Sequence, residues 1–152
     1  MLRLCEISDI EQVLTLEQDS FPPDEAATFD SLMLRITEAP KFFYKLVDHE
    51  NSSEVIGFVN GTCIRGSVIY HDSMTSHIQG GETLVIHSVT ITERKRRSGL
   101  GIRMLSEYIN SIRLSTNVRR ILLLSKAYLL VMLCNRSLLV SHLITNVQLI
   151  TL

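Results

Sequence analysis

Apolar and polar positions along the chain change rhythm several times, and each change marks an element. Ile10, Val13, Leu14 and Glu17 recur at helical spacing and give one apolar and one polar face, which predicts a helix over 9–19. Ser8 and Glu11 have the S-x-x-E spacing of a capping box, which satisfies free N–H groups at a helix start. Pro22 and Pro23 stop that helix, since proline donates no backbone hydrogen bond. A second helix is predicted over 28–37, ending before Pro40. Residues 1–6 and the aromatic, β-branched run 41–48 read as strands. HENSS reads as a turn, and 54–64 as the hairpin partner of 41–48. Residues 66–82 form a polar loop, and loops that long inside a compact domain often carry function. TLVIHSVTI, 83–91, is nearly continuous in apolar character, as expected of a strand in mid-sheet. Ile102, Leu105, Ile109 and Ile112 predict an amphipathic helix over 100–114, and RRILLL, 119–124, one more strand.

The order is β-α-α-β-β-β-α-β followed by an apolar tail, with no internal repeat and no linker. A chain of 152 residues is one domain by length and large enough to bury a core. Composition narrows the choice of function. Lys and Arg number 15 against 16 Asp and Glu, so the basic excess of a nucleic-acid binder is missing. The longest apolar region, 121–152, is broken by Ser125, Lys126, Asn135, Arg136 and His142, which argues against a membrane span. The N-terminus meets Glu6 and Asp9 before any run long enough for a signal peptide. Cys5, Cys63 and Cys134 are odd in number and far apart, which suits reduced thiols in the cytoplasm. His71 and His77 lack a cysteine or carboxylate at ligand spacing, so neither is read as a metal ligand.

One stretch carries specific chemistry. In RKRRSGLG, 94–101, four basic residues run into two glycines, after a predicted strand and at the start of a predicted helix. A helix N-terminus presents unpaired N–H groups and partial positive charge, which suits a phosphate. Glycine at 99 and 101 lets a ligand approach the backbone closely. The spacing is R-x-x-G-x-G, late in the chain, and a poor match to a dinucleotide GxGxxG loop. An exposed charged turn and a basic import or nucleic-acid signal are the plainer readings of the same residues.

Arg96-Arg97-Ser98-Gly99-Leu100-Gly101 resembles the R/Q-x-x-G-x-G/A signature of the GNAT acyl-CoA N-acetyltransferases. FPPDEAAT, 21–28, and HDSMTSHIQGGETLVIHSV, 71–89, extend the likeness to the arylalkylamine (serotonin) N-acetyltransferase-like branch, over about residues 1–126. The resemblance implies an α/β (α+β) fold with a mixed, mainly antiparallel central sheet flanked by helices. It implies acetyl-CoA as co-substrate and a small primary amine, arylalkylamine or polyamine, as acceptor. Attack would be direct, in a ternary complex.

Roles follow by resemblance. His87 is the expected proton acceptor, its ordinary pKa of about 6.5 suiting a base near neutral pH. The family places two histidines here, and this chain has Val85 at the other position. A satisfied core histidine is the plain alternative. The backbone N–H of Val89 would hold the thioester carbonyl. Thr90 and Ile91 would run along pantetheine, and Arg96, Arg97, Ser98, Gly99, Leu100, Gly101 and Ile102 would take the pyrophosphate. Asp24 and Glu25 either attract a protonated amine or face water. Phe21, Pro22 and Pro23 would wall an aryl or alkyl group.

After Lys126 the resemblance breaks. Where the family has a tyrosine, the expected acid for the departing thiolate, this chain has Leu133, and Tyr128 lies more than one helical turn away. The family's Gly-Phe is replaced by Ser137-Leu138. The expectation is a core over 1–126 and a divergent apolar segment of the same domain over 127–152, with the final strands missing or altered. Missing strands would uncover apolar surface and invite dimerisation. They also leave open a second reading, a catalytically impaired acyl-CoA-binding protein.

Overall fold

The computed structural model describes residues 1–66, 75–124, 140–144 and 147–151. Strands β1 (Leu2–Leu4), β2 (Phe43–Leu46), β3 (Gly57–Ile64), β4 (Thr83–Ile91), β5 (Arg120–Leu124), β6 (Val140–Ile144) and β7 (Val147–Thr151) form one sheet in the order β1-β2-β3-β4-β5-β7-β6. Every described pairing is antiparallel except β4 with β5, which is parallel. Helices α1 (Ile10–Gln18), α2 (Phe29–Glu38) and α3 (Leu100–Ser115) flank it. The mixed, mainly antiparallel sheet with flanking helices is the expected class, and the helices begin and end within one residue of their expected bounds.

From β2 to β4 the sheet is buried on both faces. On one, α1 and α2 bring Ile10, Val13, Leu16, Leu32 and Ile36 against Phe43, Val55 and Phe58. On the other, α3 brings Met104, Leu105, Tyr108, Ile109 and Ile112 against Val59, Cys63, Leu84 and Ile86. Burying both faces explains why β4 reads as nearly continuous apolar sequence rather than as an alternation. The Tyr108 hydroxyl donates to the Phe42 carbonyl at 3.0 Å, which satisfies its only polar atom in the core.

Two expectations are corrected. The start of α1 is not capped by Ser8 and Glu11. A short 3-10 turn, Ile7–Asp9, precedes it, and the Glu6 amide donates to Asp9 Oδ2 at 2.8 Å. Asp9 also meets Lys45 Nζ at 2.5 Å, so this carboxylate links the helix start to β2. Nor are the final strands missing. Antiparallel β7 pairs β5 from Arg120↔Thr151 to Leu124↔Val147, and β6 pairs the other side of β7. Strand pairing runs through the backbone, so it does not need the glycine and phenylalanine whose replacement prompted the expectation. Val, Ile, Leu and Thr, which dominate both stretches, are ordinary strand residues. The uncovered surface, and the dimer built on it, lose that premise. His71, Tyr128, Leu133, Cys134, Ser137 and Leu138 lie outside the described residues.

Candidate active site

The ladder between β3 and β4 contains one extra residue. Asn60 pairs with Ser88 and Gly61 with Ile86, so His87 has no opposite number. A bulge of this kind bends the strand and re-aims a side chain. His87 Nε2 lies 2.7 Å from Thr62 Oγ1, and its Nδ1 is buried without a partner. Burial, helped by the positive charge of Arg35, pushes the imidazole pKa down to about 3. The expected value near 6.5 is therefore not met, and His87 is neutral at physiological pH. The glycine after Asn60 is required by space, because a Cβ on Gly61 would stand 2.5 Å from the Val85 carbonyl oxygen.

Beyond the bulge, β4 runs on past the end of its pairing with β5. Their pairing runs from Thr83↔Arg120 to Ile86↔Leu123, while β4 continues to Ile91. The direction of the backbone groups follows from alternation along the strand. The Thr92 amide donates to the Ile56 carbonyl at 2.9 Å, so Thr92 faces β3. Thr90 then faces β3 as well, and Val89 and Ile91 face away from it. The Ile91 carbonyl is indeed taken from that side, by Arg96 Nε at 2.8 Å. Val89 thus turns its N–H to the side of β4 away from β3.

The basic stretch follows directly. Glu93–Lys95 is a 3-10 turn, Arg97 has φ 59, and Gly99, at φ 81, precedes α3. Left-handed backbone is strained for arginine and free for glycine. The amides of Leu100, Gly101 and Ile102 occupy the first turn of α3, where N–H groups have no partner within the helix. No atom lies within 4 Å of a Cβ built on Gly99, and one on Gly101 would meet only Ile91 Cγ1, at 3.7 Å. The backbone there is open to a ligand, and its N–H groups suit an anion. The arginines differ. Both are exposed, but Arg96 turns back, with Nε on the Ile91 carbonyl and Nη2 on Ser20 Oγ at 2.8 Å, while Arg97 makes no hydrogen bond among the described residues. Ser98 Oγ donates to the Lys95 carbonyl at 2.6 Å. A cleft of about 600 Å3 lies beside this loop, lined by Leu16, Asp19, Ser20, Thr92, Glu93, Arg94 and Arg96.

On the other side of β4 is the segment between α1 and α2. Phe21 is half-buried, while Pro22, Pro23, Asp24 and Glu25 are exposed and lie in a turn, the Glu25 and Ala26 amides both donating to the Pro22 carbonyl at 2.9 Å. The carboxylate that faces inward is a different one. Glu17, 2% exposed, accepts from the Ala27 amide at 2.9 Å and from Ser88 Oγ at 3.1 Å through the same oxygen, Oε1. Burial raises its pKa. Arg35 Nη1 donates to Asn60 Oδ1 at 3.4 Å, and burial lowers the arginine pKa. Glu17 Oε2, Arg35 Nε, Asn60 Nδ2 and Thr90 Oγ1 are buried without partners. A buried polar cluster therefore lies around the bulge. Sequence reading missed it, although Glu17 extends the Ile10–Val13 stripe and Asn60 interrupts an apolar strand. His77 lies elsewhere, accepting from the Cys63 amide at 3.1 Å beside a second cavity of about 420 Å3 at the far end of β3. Among the described residues no group of three or more His, Cys, Asp or Glu could hold a metal ion, and no helix is long and apolar enough to cross a membrane.

No family model and no curated protein sequence matches the chain. Solved structures do. A GNAT-like decarboxylase, GphF, in complex with isobutyryl-CoA superposes with a TM-score of 0.73 at 21% identity, covering 83% of this chain. The chain has the GNAT fold. It spans 66% of the GphF structure's length, and 64% of the loading GNATL domain of CurA from Lyngbya majuscula, which it matches at 18% identity with a TM-score of 0.71. NAA60 of Arabidopsis thaliana, in complex with a bisubstrate analogue, is also similar in fold. Its TM-score is 0.69 at 16% identity, over 100% of this chain and 98% of the other.

Proposed function

We propose that this chain is an acetyl-CoA-dependent N-acetyltransferase that moves an acetyl group to a primary amine of the arylalkylamine or polyamine type. The observation that carries the reading is a bulged histidine on β4, with the Val89 N–H turned away from β3, followed at once by an open helix N-terminus. The unpartnered amides of Leu100, Gly101 and Ile102 suit the pyrophosphate, with Arg97, which has no described partner, adding charge. Thr90 and Ile91 belong to the strand edge along which the pantetheine arm would lie. The GNAT structures solved with coenzyme A or acyl-CoA support this cofactor.

The chemistry then divides among a few groups. The amine nitrogen attacks the thioester carbonyl carbon, and the Val89 N–H stabilises the oxygen as it gains charge. If His87 Nε2 carries the hydrogen and donates to Thr62, Nδ1 keeps the lone pair that accepts the amine proton. An imidazole with so low a pKa is too weak a base to deprotonate a free ammonium, so the ammonium gives its first proton to water and the neutral amine attacks. The imidazole acts as the N–C bond forms, when the amine proton becomes acidic. Collapse expels the coenzyme A thiolate, which takes up a proton, and the amide leaves. Phe21 and Pro22 wall the acceptor, and Asp24 and Glu25 at the exposed turn attract its ammonium before binding.

The test is a thermal melt with and without acetyl-CoA, followed by thiol release with a panel of amines. A raised melting temperature and amine-dependent thiol release are expected. A rise with no product from any amine leaves a binding protein without transferase activity, and no rise removes the reading.

A further inference from the structure

We infer that Glu17 is a positioning residue that locks the 21–28 loop onto β4 next to His87, and so sets the acceptor site. The inference rests on the acyl-transfer reading, in which that loop walls the amine.

The geometry singles Glu17 out. One oxygen, Oε1, receives both the Ala27 amide from the end of the loop and the Ser88 hydroxyl from β4. Ser88 is next in sequence to the bulged His87 and pairs with Asn60 at the point where the register shifts. Glu17 therefore joins a loop and a strand that lie 71 residues from its own helix at the farther contact. Arg35 influences it electrostatically, yet no ion pair between the two is formed among the described residues. A side chain 2% exposed that spends its hydrogen bonds on a loop amide and a strand hydroxyl is a tie between the two. The near end of the loop is held separately, by Arg96 on Ser20. Fixing both ends of a wall is what orientation of a reactant requires.

The experiment pairs hydrogen exchange at the Ala27 amide with steady-state kinetics, using acetyl-CoA and the best amine of the panel. Glu17→Ala should speed Ala27 exchange about tenfold and raise the amine KM about tenfold, with the acetyl-CoA KM within about twofold. Glu17→Gln, which keeps a carbonyl oxygen for both donors, should restore both. Unchanged Ala27 exchange, equal rises in the two KM values, or failure of Gln to rescue would overturn the inference. If Glu17→Ala does not fold, Ser88→Ala replaces it: a raised amine KM supports the tie, and an unchanged one overturns it. If the chain acetylates no amine, Ala27 exchange still decides whether the tie exists, and it is the acyl-transfer reading that fails.

Discussion

Thr62 Oγ1 lies 2.7 Å from His87 Nε2, across the irregular rung between β3 and β4. The contact fixes the ring, while burial and the positive charge of Arg35 keep it neutral. Free His87 titrates at about 3, so the pH profile of kcat/KM should show no inflection near 6.5 from this residue. Thr62→Val should lower kcat about tenfold without unfolding the chain, and His87→Ala more than that. An inflection near 6.5 that vanishes in His87→Ala would show that water reaches the ring and that His87 titrates as an ordinary base.

The same shift makes stability depend on pH, with a definite sign. Unfolded, the imidazole binds a proton below about 6.5; folded, only below about 3. Between those values the unfolded chain holds the extra proton, so stability rises with pH. The melting temperature should fall from pH 7 to pH 4, and His87→Gln should flatten part of that fall.

Gly99 and Gly61 are both needed, for different reasons. Gly99→Ala meets no atom, and its cost is the left-handed backbone at φ 81, about 1–2 kcal/mol. Gly61→Ala drives a Cβ to 2.5 Å from the Val85 carbonyl oxygen and should cost about 3 kcal/mol or more while disturbing the bulge. Urea unfolding separates the two. Acetyl-CoA binding should weaken in Gly99→Ala even under conditions where it stays folded.

Arg96 and Arg97 should part company under mutation. Arg96→Ala loses contacts to Ile91 and Ser20, and should lower stability by about 1 kcal/mol without ligand. Arg97→Ala loses no described partner, so its ligand-free melt should match the parent while the acetyl-CoA shift shrinks. Equal effects in both measurements would mean the two arginines share one role.

Tyr108 is a control. Its hydroxyl is spent on the Phe42 carbonyl within the α3 core. Tyr108→Phe should cost about 1 kcal/mol in denaturant melts and leave the pH–rate profile alone. A lost alkaline limb would instead make it a proton donor.

The elements were legible because burial has a period. Helical stripes at 10–17 and 102–112, and the apolar runs around 43–46, 57–64 and 83–91, each correspond to a described element. The phosphate-type loop was legible because Gly99 and Gly101 stand where strand meets helix. Three features were not. The bulge depends on a register shift between β3 and β4, which no local pattern carries. The inward turn of Glu17 and Arg35 depends on tertiary partners, so a stripe containing a carboxylate read as two faces. The last two strands carry no Gly or Pro to punctuate them, and a run of apolar residues alone does not say where a strand begins.

Cys5 packs in the core beneath α1 and α2, and Cys63 in the core beneath α3. Burial pushes both thiols up to about 12, so each is almost wholly protonated at neutral pH and sheltered from alkylating reagents. The molecule thereby carries a separate chemical clock on each side of its sheet. The rate at which either sulfur is trapped reports how often that side comes apart. Two equal rates would mean that the sheet opens as a unit, and unequal rates would show which layer lets go first.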